Sequence, residues 1–396
     1  MPSPFDGLHD IDDLKLSHRR VLIRVDFDVP IEPDGSVVSD RKLRSALPTI
    51  RKALEEGARV VLATHLGGPN EAPVSLEPVA AKLAELLGQE VYLPDECVGY
   101  AAKKVVSDLR EGQVCLLENL RFAPEEAKND ESFARKLAAL CDVYVGEAFG
   151  ASHLPHASLV ALPRLLSERG IGYRLRTELE ALWPGGKSSE RPSLGVLGGG
   201  SLSQKAELFE LMLRRCDTIC VGGVVANTLL AAKNVDMKAS AVEREQLALG
   251  RTLLTKARDQ RVELLLPSDV LVAKNGDASE SRAVSVGSIP DQTGAFDIGP
   301  ATLASLSERV GRARTVMLHG ALGVLENPVF AGGSSGVLSA LAAAPAFGVI
   351  TGGSFTAAAL ASGTPEEQLG FISTGDVASL VLIEGKKLPG VEALRG

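Results

Sequence analysis

Short apolar runs alternate with longer segments of helical periodicity along most of this chain. The apolar runs that predict buried strands in the first half lie at 19–27, 59–65, 113–120 and 142–149. Between the first two, Leu43, Leu47 and Ile50 fall on one face of a helix predicted for 41–56, and Gly57 marks its end. Strand, helix and strand repeated in this way predict a parallel sheet that is covered by helices on both faces.

The alternation pauses at 183–193, a stretch rich in proline, glycine and polar residues. Beyond it, further strand candidates lie at 193–200, 217–224, 262–270, 314–322 and 347–353. A chain of 396 residues is also too long for one ordinary hydrophobic core. We therefore predict an α/β fold of two lobes, the first at 1–182, with ligand loops at the carboxyl ends of the strands.

Composition and charge narrow the class of protein. Hydrophobic residues make up 45% and charged residues 23% of the chain, as in soluble globular proteins. The net charge of −8 argues against nucleic acid and anionic membranes as partners, and no apolar stretch is long enough to span a bilayer. The five cysteines are scattered and odd in number, which is typical of buried thiols. With no signal-peptide pattern at the start, we expect a cytoplasmic, reduced protein.

Six loops that directly follow strand candidates carry glycines or charged residues. They lie at 25–30, 64–69, 118–122, 146–158, 197–205 and 351–359. Glycines allow backbone N–H groups to approach a phosphate, and the N-terminus of a following helix adds partial positive charge. The sequence contains neither a Walker motif nor a G-x-G-x-x-G fingerprint. The pattern alone therefore indicates a nucleotide or phosphate binder and nothing narrower.

The order of the motifs along the chain is a more specific signal than any single loop. VDFDVP, THLGGP, ENLRF, AFGASHLPHAS, LGGGSLSQK, LPSDV, DIGP, HGALGVLE, ITGG, ISTG and EGKKLPGVEAL together resemble the phosphoglycerate kinase family over nearly the whole chain. The resemblance implies two Rossmann-like lobes, each a parallel sheet covered by helices, with a hinge between them. The amino lobe would bind phosphoglycerate, the carboxyl lobe at 183–375 would bind nucleotide, and the segment 376–396 would return to the amino lobe.

The resemblance also implies ligands and residue roles. Mg-ATP or Mg-ADP would be a substrate, without a tightly bound cofactor or a metal site made by the protein, and the chain would act as a monomer. The residues implied for substrate binding are Asp26, Phe27, Asp28, Lys42, His65, Arg121 and His153. Those implied for nucleotide binding are Gly199, Lys205, Gly299, Glu326, Gly352, Gly353 and Ser354. Those implied for catalysis are Lys42, Lys205 and Gly375. Taken alone, each histidine is more often an ordinary polar loop residue than a ligand.

Several positions depart from the family pattern. Lys42 stands where the family has its main catalytic arginine, and lysine lacks the fork of a guanidinium group. The other departures are Asp28 for asparagine, Gly68 and Leu154 for two arginines, Ser201 for lysine, Ser354 for aspartate, Asp376–Val377 for two glycines, His319 for asparagine and Ala321 for proline. Phosphoryl transfer depends on cations around the developing charge, and losing one donor commonly costs about 10²–10³ in rate.

Three hypotheses about function remain open at this stage. The first is phosphoglycerate kinase activity at reduced efficiency. The second is a catalytically inactive homologue that binds nucleotide or regulates another protein. The third is a kinase for a different, less anionic carboxylate, because Gly68 and Leu154 would make the substrate pocket wider and less polar.

Overall fold

The computed structural model describes residues 3–68, 73–183 and 190–396. Two compact units make up the chain: Met1–Glu180 together with Val377–Gly396, and Ala181–Asp376. Pro69 of the predicted loop 64–69, and most of the stretch 183–193 predicted to separate the lobes, lie outside the described residues.

The first unit is built on a six-stranded parallel sheet. Its strands are β1 (Arg20–Arg24), β2 (Arg59–Ala63), β3 (Val91–Tyr92), β4 (Val114–Leu116), β5 (Val143–Gly146) and β6 (Arg169–Ile171). They are arranged in the order β3-β4-β2-β1-β5-β6, and each neighbouring pair is parallel. Strands β2, β4 and β5 are almost entirely buried, which confirms a sheet covered on both faces.

Helices lie between these strands and after the last of them. They are α1 (Arg41–Glu55), α2 (Glu77–Leu87), α3 (Tyr100–Asp108), α4 (Pro124–Ala127), α5 (Glu131–Ala138), α6 (Ala161–Arg164) and α7 (Tyr173–Leu182). Helix α1 confirms the predicted helix, because Leu43, Leu47 and Ile50 are buried on one face. Those side chains join the core formed by residues of β1 and β2, including Val21 and Val60. Helix packing of this kind fixes the loops at the carboxyl ends of the strands.

The second unit contains two sheets. The strands of its parallel sheet are β7 (Ser193–Leu197), β8 (Thr218–Val221), β9 (Glu263–Leu265), β13 (Thr315–His319), β14 (Phe347–Thr351) and β15 (Phe371–Ile372). The order is β15-β14-β13-β7-β8-β9. The antiparallel sheet has the order β11-β10-β12, with strands β10 (Asp269–Ala273), β11 (Arg282–Ser285) and β12 (Gly294–Ile298).

The prediction of one strand at 262–270 is wrong. The run divides at Pro267 and Ser268, so β9 joins the parallel sheet and β10 joins the antiparallel one. A proline cannot donate a ladder hydrogen bond, so it favours a break between two strands over a continuous strand. The helices of this unit are α8 (Leu202–Arg215), α9 (Gly223–Ala232), α10 (Leu247–Asp259), α11 (Pro300–Arg312), α12 (Gly332–Ala342), α13 (Gly353–Ala361) and α14 (Glu366–Leu369).

The last twenty residues belong to the first unit and carry the helices α15 (Val377–Ile383) and α16 (Pro389–Glu392). The N–H of Gly390 donates to the Ser152 carbonyl at 2.9 Å, and Arg169 donates to the Arg395 carbonyl at 2.7 Å. Within the described residues, no helix is long and apolar enough to cross a membrane.

Candidate functional site

In the first unit the predicted substrate residues follow the carboxyl ends of neighbouring strands. Strand β1 lies between β2 and β5, so the strand order changes direction at β1. Loops that leave a parallel sheet at such a point form a crevice for ligands. Asp26 follows β1, His65 follows β2 and His153 follows β5, so the sheet brings these three loops to one edge.

Asp26 and Lys42 form an ion pair in this crevice. The Lys42 Nζ lies 3.0 Å from Oδ1 and 3.1 Å from Oδ2 of Asp26. Burial alone would raise the pKa of Asp26, but the charge of Lys42 brings this pKa below its ordinary value. The ligand-free protein therefore holds Asp26 ionised and directs the ammonium group of Lys42 toward it.

Phe27 and Asp28 order the loops around that ion pair. The Phe27 side chain is fully buried, and its N–H donates to the Thr64 hydroxyl at 2.9 Å. Oδ1 of Asp28 accepts a hydrogen bond from the N–H of Gly67 at 3.0 Å. The carboxylate of Asp28 therefore binds the backbone of the loop after β2.

Arg24, Arg121 and His156 lie around His65, and His65 lies near Asp26. We call Arg24, His65, Arg121 and His156 the Arg–His cluster. Arg24 is fully buried, and one of its terminal nitrogens lies 3.0 Å from Nδ1 of His65. Because arginine can only donate, Nδ1 of His65 accepts this bond and the proton of the neutral ring is on Nε2. Burial, followed by the charge of Arg24, lowers the pKa of His65 to about 3.

The buried carboxylate of Glu126 is linked to Arg24 through the hydroxyl of Ser158. Nε of Arg24 donates to the Ser158 hydroxyl at 2.7 Å, and that hydroxyl donates to Oε1 of Glu126 at 2.5 Å. Glu126 also accepts from the N–H of Ser158 at 2.9 Å. Burial raises the pKa of Glu126, against the opposing charges of Arg24 and Arg121.

Arg121 and His156 are the members of the cluster with unused hydrogen-bonding capacity. Nε of Arg121 and Nδ1 of His156 are both buried and have no hydrogen-bond partner. Burial, then the charges of Arg24 and Arg121, lowers the pKa of His156 to about 4. His153, whose Nδ1 donates to the Gly150 carbonyl at 2.9 Å, also contributes to that lowering. A buried guanidinium N–H without a partner is costly, so an anion that accepts from Arg121 would be bound favourably.

In the second unit, the loop after β7 brings Gly199 and Lys205 together. Gly199 has a φ of +114°, and a Cβ at this position would lie 3.7 Å from Cε of Lys205. Ser201 is the N-cap of α8 and accepts from the N–H of Gln204 at 3.2 Å. Its hydroxyl donates to Glu243 at 2.8 Å, and Glu243 also accepts from the backbone N–H of Leu202. A carboxylate therefore occupies the start of α8, where the resemblance would place a lysine.

Lys205 contacts a histidine at the end of β13. Its Nζ lies 2.7 Å from Nε2 of His319, and Nδ1 of His319 lies 3.0 Å from the Thr351 hydroxyl oxygen. Gly352, with a φ of +80°, lies against the ring of His319, since a Cβ on it would come within 2.8 Å of the ring. The structure therefore brings Gly199, Lys205 and Gly352 together around His319. The sequence identified His319 only as a departure from the family pattern.

The other predicted nucleotide residues lie on neighbouring loops. Gly353 is the first residue of α13 and Ser354, which follows it, is exposed. The buried Gly299 precedes α11, and its N–H donates to the Asp269 carbonyl at 2.9 Å. Glu326 is exposed on the loop after β13.

Gly375 lies at the end of the second unit. It is buried, and its N–H donates to the Ser373 hydroxyl at 3.0 Å. Burial, then the charge of Lys205, lowers the pKa of His319, and the charge of the adjacent, exposed Asp376 opposes this lowering. The carboxylate of Asp376 therefore acts on the same site as Lys205.

Sequence reasoning missed Arg24, Glu126 and Thr351. A charged residue at the end of a buried strand was a signal for Arg24, because such a residue needs a partner. Glu126 and Thr351 carry no comparable signal. Among the described residues, no group of three or more histidine, cysteine, aspartate or glutamate side chains could hold a metal ion.

Comparisons with known proteins agree across the whole chain. The family model described as phosphoglycerate kinase matches residues 11–386. A phosphoglycerate kinase of Anaeromyxobacter dehalogenans is 44% identical over 393 residues, covering 98% of this chain and 99% of that protein. One of Moorella thermoacetica is 42% identical over 386 residues, covering 96% and 98%.

Solved structures give the same result. The phosphoglycerate kinase of Coxiella burnetii is similar to this chain with a TM-score of 0.86 and 31% identity, covering 98% of both chains. That of Pyrococcus horikoshii is similar with a TM-score of 0.83 and 31% identity, also over 98% of both chains. These similarities bear out the predicted fold of two α/β lobes.

Proposed function

Since this chain belongs to the phosphoglycerate kinase family, we propose that it is a phosphoglycerate kinase of reduced efficiency. It transfers the terminal phosphoryl group of Mg-ATP to the carboxylate of 3-phosphoglycerate, giving ADP and 1,3-bisphosphoglycerate, and the reaction is reversible. The first unit binds the phosphoglycerate and the second unit binds the nucleotide. Magnesium enters with the nucleotide as part of the substrate.

The observation that carries this proposal is the Arg–His cluster. Nε of Arg121 and Nδ1 of His156 are buried without partners, next to the fully buried Arg24. Arg24 and Arg121 place two guanidinium groups in this crevice, and in a protein with a net charge of −8 such a local basic site suits the binding of an anion. A phosphorylated carboxylate fits this requirement because it carries an anionic group at each end.

The residues of the first unit would act on the phosphoglycerate in different ways. Arg121 can bind a phosphate or carboxylate group through two parallel hydrogen bonds. Neutral His65 offers the N–H of its Nε2, because its Nδ1 is engaged by Arg24. Lys42 would supply positive charge to the transferring phosphoryl group, with Asp26 holding the ammonium in place until then.

The second unit would hold the nucleotide phosphates by charge and by backbone donors. Lys205 supplies the ammonium group, and the glycine loop around Gly199 allows the backbone to approach a phosphate closely. The N-terminus of α13 at Gly353 adds the partial positive charge of a helix end. Gly299 and Glu326 are proposed contacts of the nucleoside.

The departures from the family pattern support reduced efficiency. Leu154 packs against an apolar group that includes Ala151 and Leu159, so it contributes packing in place of a cation. Ser201 binds Glu243, and Ser354 brings no charge to the site. Fewer cations would surround the developing charge of the transition state, so turnover should fall below that of a kinase that keeps them.

We also propose that the protein is cytoplasmic and acts as a monomer. All five cysteines lie in the described part of the chain as buried free thiols, which suits a reducing compartment. The monomer follows from the family resemblance, and sedimentation velocity on the purified protein would test it.

The proposed substrate can be tested by measuring ADP release from Mg-ATP with 3-phosphoglycerate and, in parallel, with glycerate. The proposal expects release with 3-phosphoglycerate and little with glycerate, because the Arg–His cluster would then lack the phosphate. Faster release with glycerate would favour a kinase for a less anionic carboxylate. No release with either compound from folded protein would favour a non-catalytic homologue.

A further inference from the structure

His319 is a buried histidine of the second unit to which the proposed reaction assigns no role. It ends β13, is 1% exposed and contacts two side chains. Nζ of Lys205 lies 2.7 Å from its Nε2, and the Thr351 hydroxyl oxygen lies 3.0 Å from its Nδ1. Lys205, Thr351 and Gly352 thus surround a buried imidazole at the place where the nucleotide phosphates would bind.

The direction of these hydrogen bonds fixes the state of the ring. A lysine ammonium group can only donate, so Nε2 of His319 accepts. The proton of the neutral ring is then on Nδ1, which donates to the Thr351 hydroxyl. Burial, then the positive charge of Lys205, lowers the pKa of His319 to about 4, and the charge of Asp376 opposes this effect. At neutral pH the ligand-free protein therefore holds a neutral acceptor against Lys205.

The position of the ring is fixed on two sides. On one side its Nδ1 is held by Thr351. On another side it lies against Gly352, because a Cβ there would come 2.8 Å from Cε1 of the ring. If Lys205 moved away, the ring would stay in place and present Nε2 at the position that the ammonium had filled.

We propose that His319 is a phosphate-binding residue, which exchanges its bond with Lys205 for a bond to a nucleotide phosphate. The phosphate attracts the ammonium of Lys205, and Nε2 then takes up a proton from the buffered solution and donates the new N–H to a phosphate oxygen. The exchange supplies a second cation in a site where Ser201 stands in place of a lysine. This inference rests on the proposed function, because it requires that the second unit binds nucleotide.

The exchange predicts that nucleotide binding takes up a proton. If the bound phosphate restores the ordinary histidine pKa of about 6.5, binding at pH 6 takes up roughly three-quarters of a proton. Because the pKa of His319 is higher in the complex than in the free protein, affinity must rise as pH falls. Between pH 7.5 and pH 5.5 this linkage amounts to about a tenfold gain in affinity.

Isothermal titration with Mg-ADP at pH 6, in two buffers of different ionisation enthalpy, measures the proton uptake. The nucleotide phosphate also titrates near pH 6, so the test is the difference between the wild type and His319→Asn. His18→Asn serves as the matched control, since His18 is an exposed histidine of the first unit. We expect an uptake in the wild type and in His18→Asn that exceeds the uptake in His319→Asn by more than half a proton.

The outcomes separate this inference from the proposed function. Binding of Mg-ADP with equal proton uptake in the wild type and His319→Asn would overturn the inference and leave nucleotide binding intact. Absence of Mg-ADP binding to the folded wild type would overturn both. If His319→Asn does not fold, an NMR titration of the wild-type histidines replaces it. The pKa of His319 should then lie below 5 in the free protein and above 6 with Mg-ADP, and an unchanged pKa would overturn the inference.

Discussion

Lys42 meets both carboxylate oxygens of Asp26, with its Nζ 3.0 Å from Oδ1 and 3.1 Å from Oδ2. The ammonium group that should meet the transferring phosphoryl is therefore already neutralised in part before any substrate arrives. An arginine at this position could bind Asp26 and still direct a second N–H toward the phosphoryl group, because its donors form a planar fork.

Lys42→Arg should therefore raise kcat/KM for 3-phosphoglycerate, by roughly tenfold, since one well-placed donor is worth about 10²–10³ in rate. Lys42→Ala should lower it by at least as much and should leave Asp26 without its cation. Steady-state kinetics with both substrates varied would measure these changes. Lys103→Arg, on the exposed surface of α3, is the matched control and should change nothing. An unchanged kcat/KM in Lys42→Arg would show that Lys42 is not near the reacting group.

Arg121→Lys should raise the dissociation constant of 3-phosphoglycerate by roughly tenfold, because a lysine retains the charge but not the two parallel hydrogen bonds. Protein stability should change little, since Nε of Arg121 has no hydrogen bond to lose. Calorimetric titration and thermal unfolding would measure the two quantities. The exposed Arg110→Lys should leave both unchanged.

Arg121→Gln gives an independent readout of the same cluster. Burial, then the charges of Arg24 and Arg121, lowers the pKa of His156 to about 4, so removing the charge of Arg121 should raise this pKa in part toward its ordinary value. An NMR titration of His156 that gave the same pKa in both proteins would contradict the arrangement of the Arg–His cluster.

Substitution by alanine should affect protein stability differently at Gly352 and at Gly353. Gly352 has a φ of +80°, and a Cβ there would come 2.8 Å from the ring of His319, whereas nothing lies within 4 Å of a Cβ at Gly353. Gly352→Ala should therefore lower the free energy of unfolding by about 1–3 kcal/mol, and Gly353→Ala should barely change it. Urea unfolding of the two variants would decide, and equal stability would mean that the backbone at Gly352 is not constrained.

The buried carboxylate of Glu147 should make the stability of the first unit depend on pH. Glu147 accepts from the Thr49 hydroxyl at 2.5 Å and from the N–H groups of Arg174 and Leu175 at 3.0 and 3.1 Å, at the start of α7. Burial, opposed by these hydrogen bonds, raises its pKa to about 7. Because this folded-state pKa lies above the unfolded one, its contribution to stability is complete below about pH 4.5 and is lost as pH rises through 7.

Between pH 5 and pH 8 the wild type should therefore lose about 2 kcal/mol of unfolding free energy relative to Glu147→Gln. Glutamine also loses one hydrogen bond, but this lowers stability by a similar amount at both pH values. Urea unfolding at each pH would measure the difference, with the exposed Glu131→Gln as control. Parallel pH profiles of the wild type and Glu147→Gln would contradict the raised pKa.

Much of the fold could be predicted from the sequence, because the buried face of a helix requires apolar residues at regular spacing along the chain. Leu43, Leu47 and Ile50 lie on the buried face of α1 as their spacing predicts. The antiparallel sheet did not follow, because apolar residues stand on both sides of the short break at Pro267 and Ser268, which divides β9 from β10. Periodicity detects which residues are buried and does not show which sheet they join.

The candidate site could be outlined from the order of the motifs, but its internal contacts could not. Arg24 binds Ser158, which is 134 residues away, and Lys205 binds His319, which is 114 residues away. A single sequence read alone carries no record of such pairs. The substitution at His319 was visible, but its contacts with Lys205 and Thr351 required coordinates.

We expect this chain to transfer a phosphoryl group despite its substitutions. The most direct test is an assay of the purified protein with Mg-ATP and 3-phosphoglycerate, in which product formation is coupled to NADH oxidation, beside its Lys205→Ala variant. We expect turnover above about 1 s⁻¹ in the wild type, at the low end of ordinary enzyme rates, and its loss in the variant. No turnover from folded wild-type protein, or equal turnover in Lys205→Ala, would contradict the account.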